Sequence, residues 1–390
     1  MINTMTAFTD EVDDVEYAIE EILGQLDLDG LLAESVGIVS CNHDFTETDV
    51  VRALCERLPF PVTGATTSAC AVKGSKRNVA PLSILVLTSD TVRFRLGLTG
   101  DLTVENHREQ IRGAWEQAAE GMEGQPSLVL TFLPLLVKVS GARQLEVLSS
   151  VAGRSPIFGT MCVTEETGFV SSGILRDGEF HKGKLSIVLL YGDVHPRFFL
   201  GTISEEKFFK SKGVISEVVD GSILKAVSGK STRDFLLGLG LSQDEEGRIL
   251  IPGLFPLAVD FNDGSAPILR AMLATQPDGS MVLAGDVPVG ATLSVSTIDA
   301  EEVGRVARRT LDAVAAEKGY SAVIINSCAG RYHVAEEFDN QLEIDIVRRH
   351  LDETGRYLVS FSAGEICPVP TQCGALENRF HNFTIIACVI

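Results

Sequence analysis

A chain of 390 residues with 45% hydrophobic content can bury the cores of about two or three domains of ordinary size. Its 53 acidic and 33 basic side chains give a formal charge of −20, which repels phosphate backbones and anionic lipid surfaces. We therefore expect no nucleic-acid partner and no membrane insertion, and no apolar run approaches the roughly 18 residues of a membrane span.

Eight cysteines are spread thinly along the chain, and several lie inside apolar runs such as IIACVI. This distribution is unlike a disulfide scaffold and indicates reduced thiols. The first ten residues lack the basic start and apolar core of an export signal. The sequence therefore predicts a cytoplasmic protein.

The first predicted elements are a strand at 36–40 and a helix that carries Val51, Leu54, Cys55 and Leu58 on one face. Two prolines end this helix, and the small-residue turn PVTGATTSAC leads to the apolar strand LSILVLTS. An alternating strand follows at 92–98. This order of strand, helix, turn and strand is typical of α/β layering.

The same order recurs twice. The second copy runs from SLVLTFL at 127–133 through a helix with Leu145, Leu148 and Ala152 to PIFGTMC and LSIVLLYGD. The third runs from SAVIINSC at 321–328 through one helix with Phe338, Leu342, Ile346 and His350 to LVSFSAGEIC and FTIIACVI. We therefore predict an α/β fold of repeated strand-helix-strand units, with mixed sheets and helices packed on them.

The segment between the second and third units, SEEKFFKSKGVISEVVDGS, is charged and weakly periodic. Such composition favours a linker over a core, which predicts a boundary near residue 215. The expected domains are residues 1–215 and 216–390.

No cofactor or metal ion is expected. SGKST at 228–232 resembles a phosphate-binding loop, but position 224, where that motif requires glycine, is leucine. The chain has no C-x-x-C pair, and its histidines do not fall at the spacing of metal ligands on a predicted helix.

Polar residues at the carboxyl ends of the last unit's strands predict a ligand site, because open α/β sheets bind ligands there. Arg331 can hold a carboxylate and Glu365 an ammonium group, which together suit an amino acid. The other expected contacts are Cys328, Asn382 and Thr384 in the pocket lining, with Gly364 and Gly64 as backbone that a ligand approaches closely. The alternative is that Arg331 pairs with Glu365 or Glu336 and only stabilises the fold.

A second alternative is a cysteine-dependent hydrolase or transferase. Cys328 would be the nucleophile, His333 or His381 the base, and Glu365 or Asn382 the group that orients the base. A cysteine after an aliphatic strand is more often a small buried residue, so binding is the preferred interpretation.

NSCAGR, FSAGEICPV and FHNFT resemble segments of the carboxyl-terminal FIST domain, and AVSGKSTRDFLLGLG is similar to its opening. FPVTGATT, PIFGTMC and GILRDGEFHKGKLSIVLLYGD resemble the amino-terminal FIST domain. One departure is FGTMCVTEE, which stands where many members have a Gly-Gly-x-Ala-Gly-Asp turn. Glu165 or Glu166 is then the candidate for the acidic position of that turn.

The resemblance implies a sensory module of bacterial signal transduction that binds small ligands such as amino acids. Family members also occur joined to kinases, cyclases or chemotaxis domains, and some outside bacteria carry an interaction domain. We therefore expect an intracellular sensor of a small polar ligand, without catalysis, that acts alone or through a separate kinase, cyclase or chemoreceptor. A scaffold or adaptor is the third alternative.

Overall fold

The structure is a computed structural model that describes residues 2–76, 81–136, 138–164, 171–250, 252–339, 341–371 and 374–390. The first strands are β1 (Ile2–Thr9), β2 (Glu34–Cys41), β3 (Val62–Thr66), β4 (Cys70–Ala71), β5 (Leu82–Ser89), β6 (Arg93–Leu98), β7 (Leu128–Leu133), β8 (Ile157–Met161), β9 (Ile174–Arg176), β10 (Glu179–His181), β11 (Ser186–Tyr191) and β12 (Arg197–Gly201). The later strands are β13 (Phe208–Val219), β14 (Ile223–Val227), β15 (Lys230–Ser231), β16 (Leu257–Asp260), β17 (Ile268–Arg270), β18 (Met272–Thr275), β19 (Met281–Leu283), β20 (Thr292–Ser296), β21 (Val323–Cys328), β22 (Tyr357–Ser362), β23 (Glu365–Pro370), β24 (Leu376–His381) and β25 (Ile385–Val389). The α-helices are α1 (Val15–Leu23), α2 (Val50–Arg57), α3 (His107–Ala119), α4 (Gly141–Ala152), α5 (Thr232–Gly238), α6 (Ala300–Ala316), α7 (Ala329–Asp339) and α8 (Leu342–Leu351).

Three units repeat one order of elements: an outer strand, a helix, a central strand, one or two further helices, a strand parallel to the central one, a connecting strand and a return strand. Their sheets have matching strand orders, β1-β5-β2-β3, β6-β11-β7-β8 and β12-β25-β21-β22. In each sheet the central strand pairs in parallel with the strand after its helix, and antiparallel with the return strand. The predicted triplication of a strand-helix-strand unit is confirmed.

Each connecting strand leaves its own unit and pairs in a neighbouring sheet. β4 of the first unit pairs with β22 of the third, and β9 of the second unit pairs with β3 of the first. β23 of the third unit pairs with β8 of the second. The three sheets therefore form a closed ring in which every sheet is completed by a neighbour.

The central strands are buried on both faces, as their continuous apolar sequences require. Ile38, Leu130 and Ile324 lie in one common core where the three sheets meet. The opposite faces of the same strands pack against the helices of their own units, as Val39 does in the first unit and Ile325 in the third. The alternation of side chains along each strand thus builds a central core and three outer cores.

A second lobe is inserted between β12 and α6, with its strands in the order β17-β16-β20-β13-β14-β19-β18. The segment predicted to be a linker is strand β13, which buries Gly213 and Ile215 on one face and exposes Lys212 and Val214 on the other. The linker prediction was wrong because an antiparallel strand with one solvated face needs few apolar residues. Residue 215 lies within this strand, and a domain boundary there stays a prediction.

The helix predicted across 338–350 is two helices, since α7 ends at Asp339 and α8 begins at Leu342. A four-residue spacing of apolar residues does not distinguish one helix from two in succession. None of the described helices combines the length and the apolar character needed to cross a bilayer.

Candidate functional site

Arg331 lies in the first turn of α7, directly after β21, and its side chain is fully buried. Its guanidinium pairs with Glu343 of α8, whose Oε1 lies 2.7 Å from Nη2 and 3.2 Å from Nε. Nη2 also donates to the carbonyl of Val303. The carboxylate partner is therefore neither Glu336 nor Glu365, the two that the sequence suggested.

The ion pair is closed to solvent, because the exposed fractions of the two side chains are 0% for Arg331 and 2% for Glu343. Ser327 donates to Oε2 of Glu343 at 2.9 Å. Nη1 of Arg331 has no hydrogen-bond partner among the described atoms. The pair ties α7 to α8 and α6, and the role of Arg331 in holding a ligand carboxylate stays a prediction.

Glu365, the first residue of β23, is also fully buried but has hydroxyl partners. Ser362 donates to its Oε1 at 2.9 Å, and Thr384 donates to its Oε2 at 2.8 Å through Oγ1. Burial raises the pKa of the Glu365 carboxyl to about 8, and these hydrogen bonds and the more distant Arg331 only partly offset it. Glu365 is therefore mostly protonated at neutral pH.

Cys328 is buried, and burial raises the pKa of its thiol far above the ordinary value, with a further contribution from Glu365. No hydrogen bond in the described residues joins this thiol to His333 or His381. His333 contacts Glu336, and His381 contacts the carbonyl of Cys367. The arrangement lacks the thiolate and the adjacent base that a cysteine nucleophile needs.

The structure shows the contacts of three further predicted site residues, Gly364, Asn382 and Gly64. A Cβ on Gly364 would lie 2.2 Å from Cζ of Phe380, so this glycine makes room for that ring. Asn382 donates to the carbonyl of Ala363 at 3.3 Å, and its Oδ1 accepts from a backbone amide of the second lobe. Gly64 lies apart in β3, where a Cβ would meet the carbonyl oxygen of a β2 residue at 1.8 Å.

A cleft of about 600 Å³, lined in part by Phe380, opens between α4, β24 and the second lobe. Its volume lies within the usual range of ligand pockets, about 300–1,000 Å³. Leu145 and Ser149 of α4 line one wall, and Phe261 and Arg270 of the second lobe line another. A second void lies where the three sheets meet, and at about 10 Å³ it holds no more than one water molecule.

Arg270 ends β17 and is the deepest charged group of this cleft, with an exposed fraction of 2%. It donates to the carbonyls of Asp286, Leu269 and Phe380, each at 3.0 Å. The bond to Phe380 crosses from the second lobe to the ring. Arg270 therefore fixes the relative positions of two cleft walls.

Two family models match this chain, the FIST N domain over residues 35–230 and the FIST C domain over residues 234–368. The chain belongs to the FIST family. FIST domains are sensory domains of signalling proteins that bind small ligands. The predicted resemblance is confirmed by both matches.

A comparison with curated proteins finds no match. Among solved structures, the chain is similar to a cyanuric acid hydrolase from A. caulinodans, with 10% identity and a TM-score of 0.33 over 100% of this chain and 99% of that chain.

The sequence analysis did not predict the residues of this FIST chain that form the cleft, above all Arg270, Asp286 and Phe380. The only sequence signal was an arginine at the end of a short apolar run, ILR, which many surface strands share. Glu165 and Glu166 lie outside the described residues. In the described residues, no group of three His, Cys, Asp or Glu side chains is arranged to hold a metal ion.

Proposed function

We propose that this FIST protein senses a small polar metabolite, such as an amino acid, that binds in the cleft between α4, β24 and the second lobe. The observation that carries the proposal is a buried arginine, Arg270, in the wall of a cleft of ligand size. Ligand pockets characteristically combine apolar walls with a few buried polar groups.

The cleft is suited to sensing because its walls belong to different parts of the fold. Asp286, in the loop after β19, accepts a hydrogen bond from Ser140 at the start of α4, and Arg270 donates to Phe380 of β24. A ligand in contact with both walls has a different affinity when their spacing changes. Such a difference in affinity is what allows a ligand to shift a conformational equilibrium.

Four of the residues predicted from sequence form the layer behind this cleft in the proposed mechanism. Gly364 and Asn382 support the end of β24 that carries Phe380. Glu365, on the neighbouring strand β23, is hydrogen-bonded to Thr384. Direct ligand contact by Arg331 or Cys328 requires movement of α7, because both side chains are buried. The cleft needs no such movement, which favours it as the entry point.

Catalysis by Cys328 is the less favoured function, because the raised pKa keeps the thiol protonated at neutral pH. We further propose that the protein works inside a bacterial cell and passes its signal to a separate kinase, cyclase or chemoreceptor. All seven described cysteines are free, which supports a reducing compartment.

A thermal-shift screen of the twenty common amino acids and related metabolites tests the proposed function, because a ligand of the folded state raises the unfolding midpoint. Ser149→Trp fills the cleft from α4, and Ser150→Trp is the matched control, since Ser150 is exposed and does not line the cleft. We expect hits whose shift disappears in Ser149→Trp and persists in Ser150→Trp. Shifts equal in both variants would contradict a site in this cleft.

A further inference from the structure

One nitrogen of the Arg270 guanidinium is free to donate hydrogen bonds to a ligand. Its hydrogen bonds to three backbone carbonyls use Nε and Nη1. Nη2 has no hydrogen-bond partner among the described residues, although the side chain is only 2% exposed. Nη2 is not among the fully buried polar atoms that lack a partner, so it keeps contact with the cleft, where an acceptor on a ligand can reach it.

The carboxylate of Asp286, which lies near Arg270, forms its hydrogen bonds with other residues. Asp286 gives Arg270 its backbone carbonyl, while its side chain accepts from Ser140 at 2.7 Å and from Arg143 at 3.4 Å. In the described chain, Arg270 forms no ion pair with any carboxylate. Burial lowers the pKa of Arg270 to about 10, the Asp286 carboxylate offsets this only in part, and Arg379 adds a smaller lowering, so the charge is incompletely compensated.

The rest of the cleft is apolar near Arg270 and acidic at its rim. The ring of Phe380 lies 6.0 Å from the guanidinium carbon, and Leu145 lines the adjoining wall. Besides Arg270, the cleft lining includes the guanidinium of Arg379 and three carboxylates, Asp286, Glu146 and Glu377, and this excess of negative charge disfavours a second negative charge on a ligand. This arrangement provides one anion-binding position beside an apolar surface.

We infer that the cleft selects ligands with a single carboxylate joined to an apolar body, with the carboxylate on Nη2 of Arg270 and the body against Phe380 and Leu145. The inference rests on the proposed function and narrows its ligand class. Apolar amino acids belong to this class, since the rim carboxylates tolerate an ammonium group. Dicarboxylates, phosphate and cations without a carboxylate are excluded from it.

The decisive experiment uses matched probes on the intact protein. Binding of 3-phenylpropionate, L-phenylalanine, 3-phenylpropionamide and 2-phenylethylamine is measured by titration calorimetry, with succinate and inorganic phosphate as further controls. A charge-assisted hydrogen bond at a desolvated site predicts that the two carboxylates bind at least about tenfold more tightly than the amide or the amine. This comparison needs no variant, so it holds even if Arg270 substitutions fail to fold.

The variants locate the carboxylate. Arg270→Gln removes a cation that forms no ion pair among the described residues, whereas Arg379→Gln removes the second guanidinium of the cleft lining, which already pairs with Asp263 and Glu377. We expect a loss of 3-phenylpropionate affinity of about tenfold or more in Arg270→Gln and of less than about threefold in Arg379→Gln. Equal losses in the two variants would overturn the assignment to Arg270.

Failure of the inference and failure of the proposed function give different results. Binding of the amide as tight as that of the acid, abolished in Ser149→Trp, overturns the carboxylate preference and leaves the proposed cleft in place. If no probe and no compound of the wider screen binds in a manner that depends on Ser149, both are overturned.

Discussion

Glu365→Gln should remove a pH dependence from the stability of the fold. The pKa of this carboxyl is raised from 4.5 to about 8 in the folded protein, so the folded state holds its proton more strongly than the unfolded state does. Between these two values the folded state binds more protons, and the free energy of unfolding therefore falls as pH rises through that window. At about 1.4 kcal/mol per pKa unit, the full loss is on the order of 5 kcal/mol.

The glutamine variant lacks this loss because its amide stays neutral and can still bond to Ser362 and Thr384. Urea unfolding at pH 5, 7 and 9, followed by circular dichroism, should show similar stability of both proteins at pH 5 and a more stable variant at pH 9. Glu353→Gln, at an exposed position, is the control and should keep the wild-type slope. A Glu365→Gln slope equal to that of the wild type would refute a neutral buried carboxyl at this position.

Two other substitutions and one labelling experiment have definite expected outcomes. Glu343→Gln should lower the free energy of unfolding by about 3–5 kcal/mol in urea titrations, because Arg331 stays buried without its partner, and adding Arg331→Met should recover part of the loss. Gly364→Ala should lower the free energy of unfolding by about 1–3 kcal/mol, because the added Cβ would lie 2.2 Å from Cζ of Phe380. Adding Phe380→Leu should reduce this loss, and an undiminished loss would contradict the explanation. The Cys328 thiol should resist iodoacetamide at pH 8 in the folded protein and react in urea, as mass spectrometry of its peptide would reveal; rapid labelling of the folded protein would revive the nucleophile hypothesis.

The repeated units were predictable because each central strand is apolar on both faces and each helix presents one apolar face. The pairing of strands between units was not, because β4 at residues 70–71 pairs with β22 at residues near 360, and nothing local in either segment encodes that partner. Strand β13 of the second lobe was predicted to be a linker for a related reason. It exposes one polar face, so its composition resembles that of a loop.

The candidate site was predictable only in its neighbourhood. Residues after the apolar strands do converge, as Glu365 and Thr384 show. The partner of Arg331 was missed because Glu343 comes close only through the break between α7 and α8. Arg270 was missed because its importance depends on its forming no ion pair among the described residues, and this cannot be read from a sequence.

The exchange of connecting strands around the ring has a consequence for how the protein assembles. No sheet of the ring can be finished by one unit, because β4, β9 and β23 each pair with a different unit. Most stabilising contacts therefore join residues far apart in the chain, which favours slow folding through a late, concerted closure. We expect the three units to gain protection from hydrogen exchange together, so that none behaves as an independent folding module.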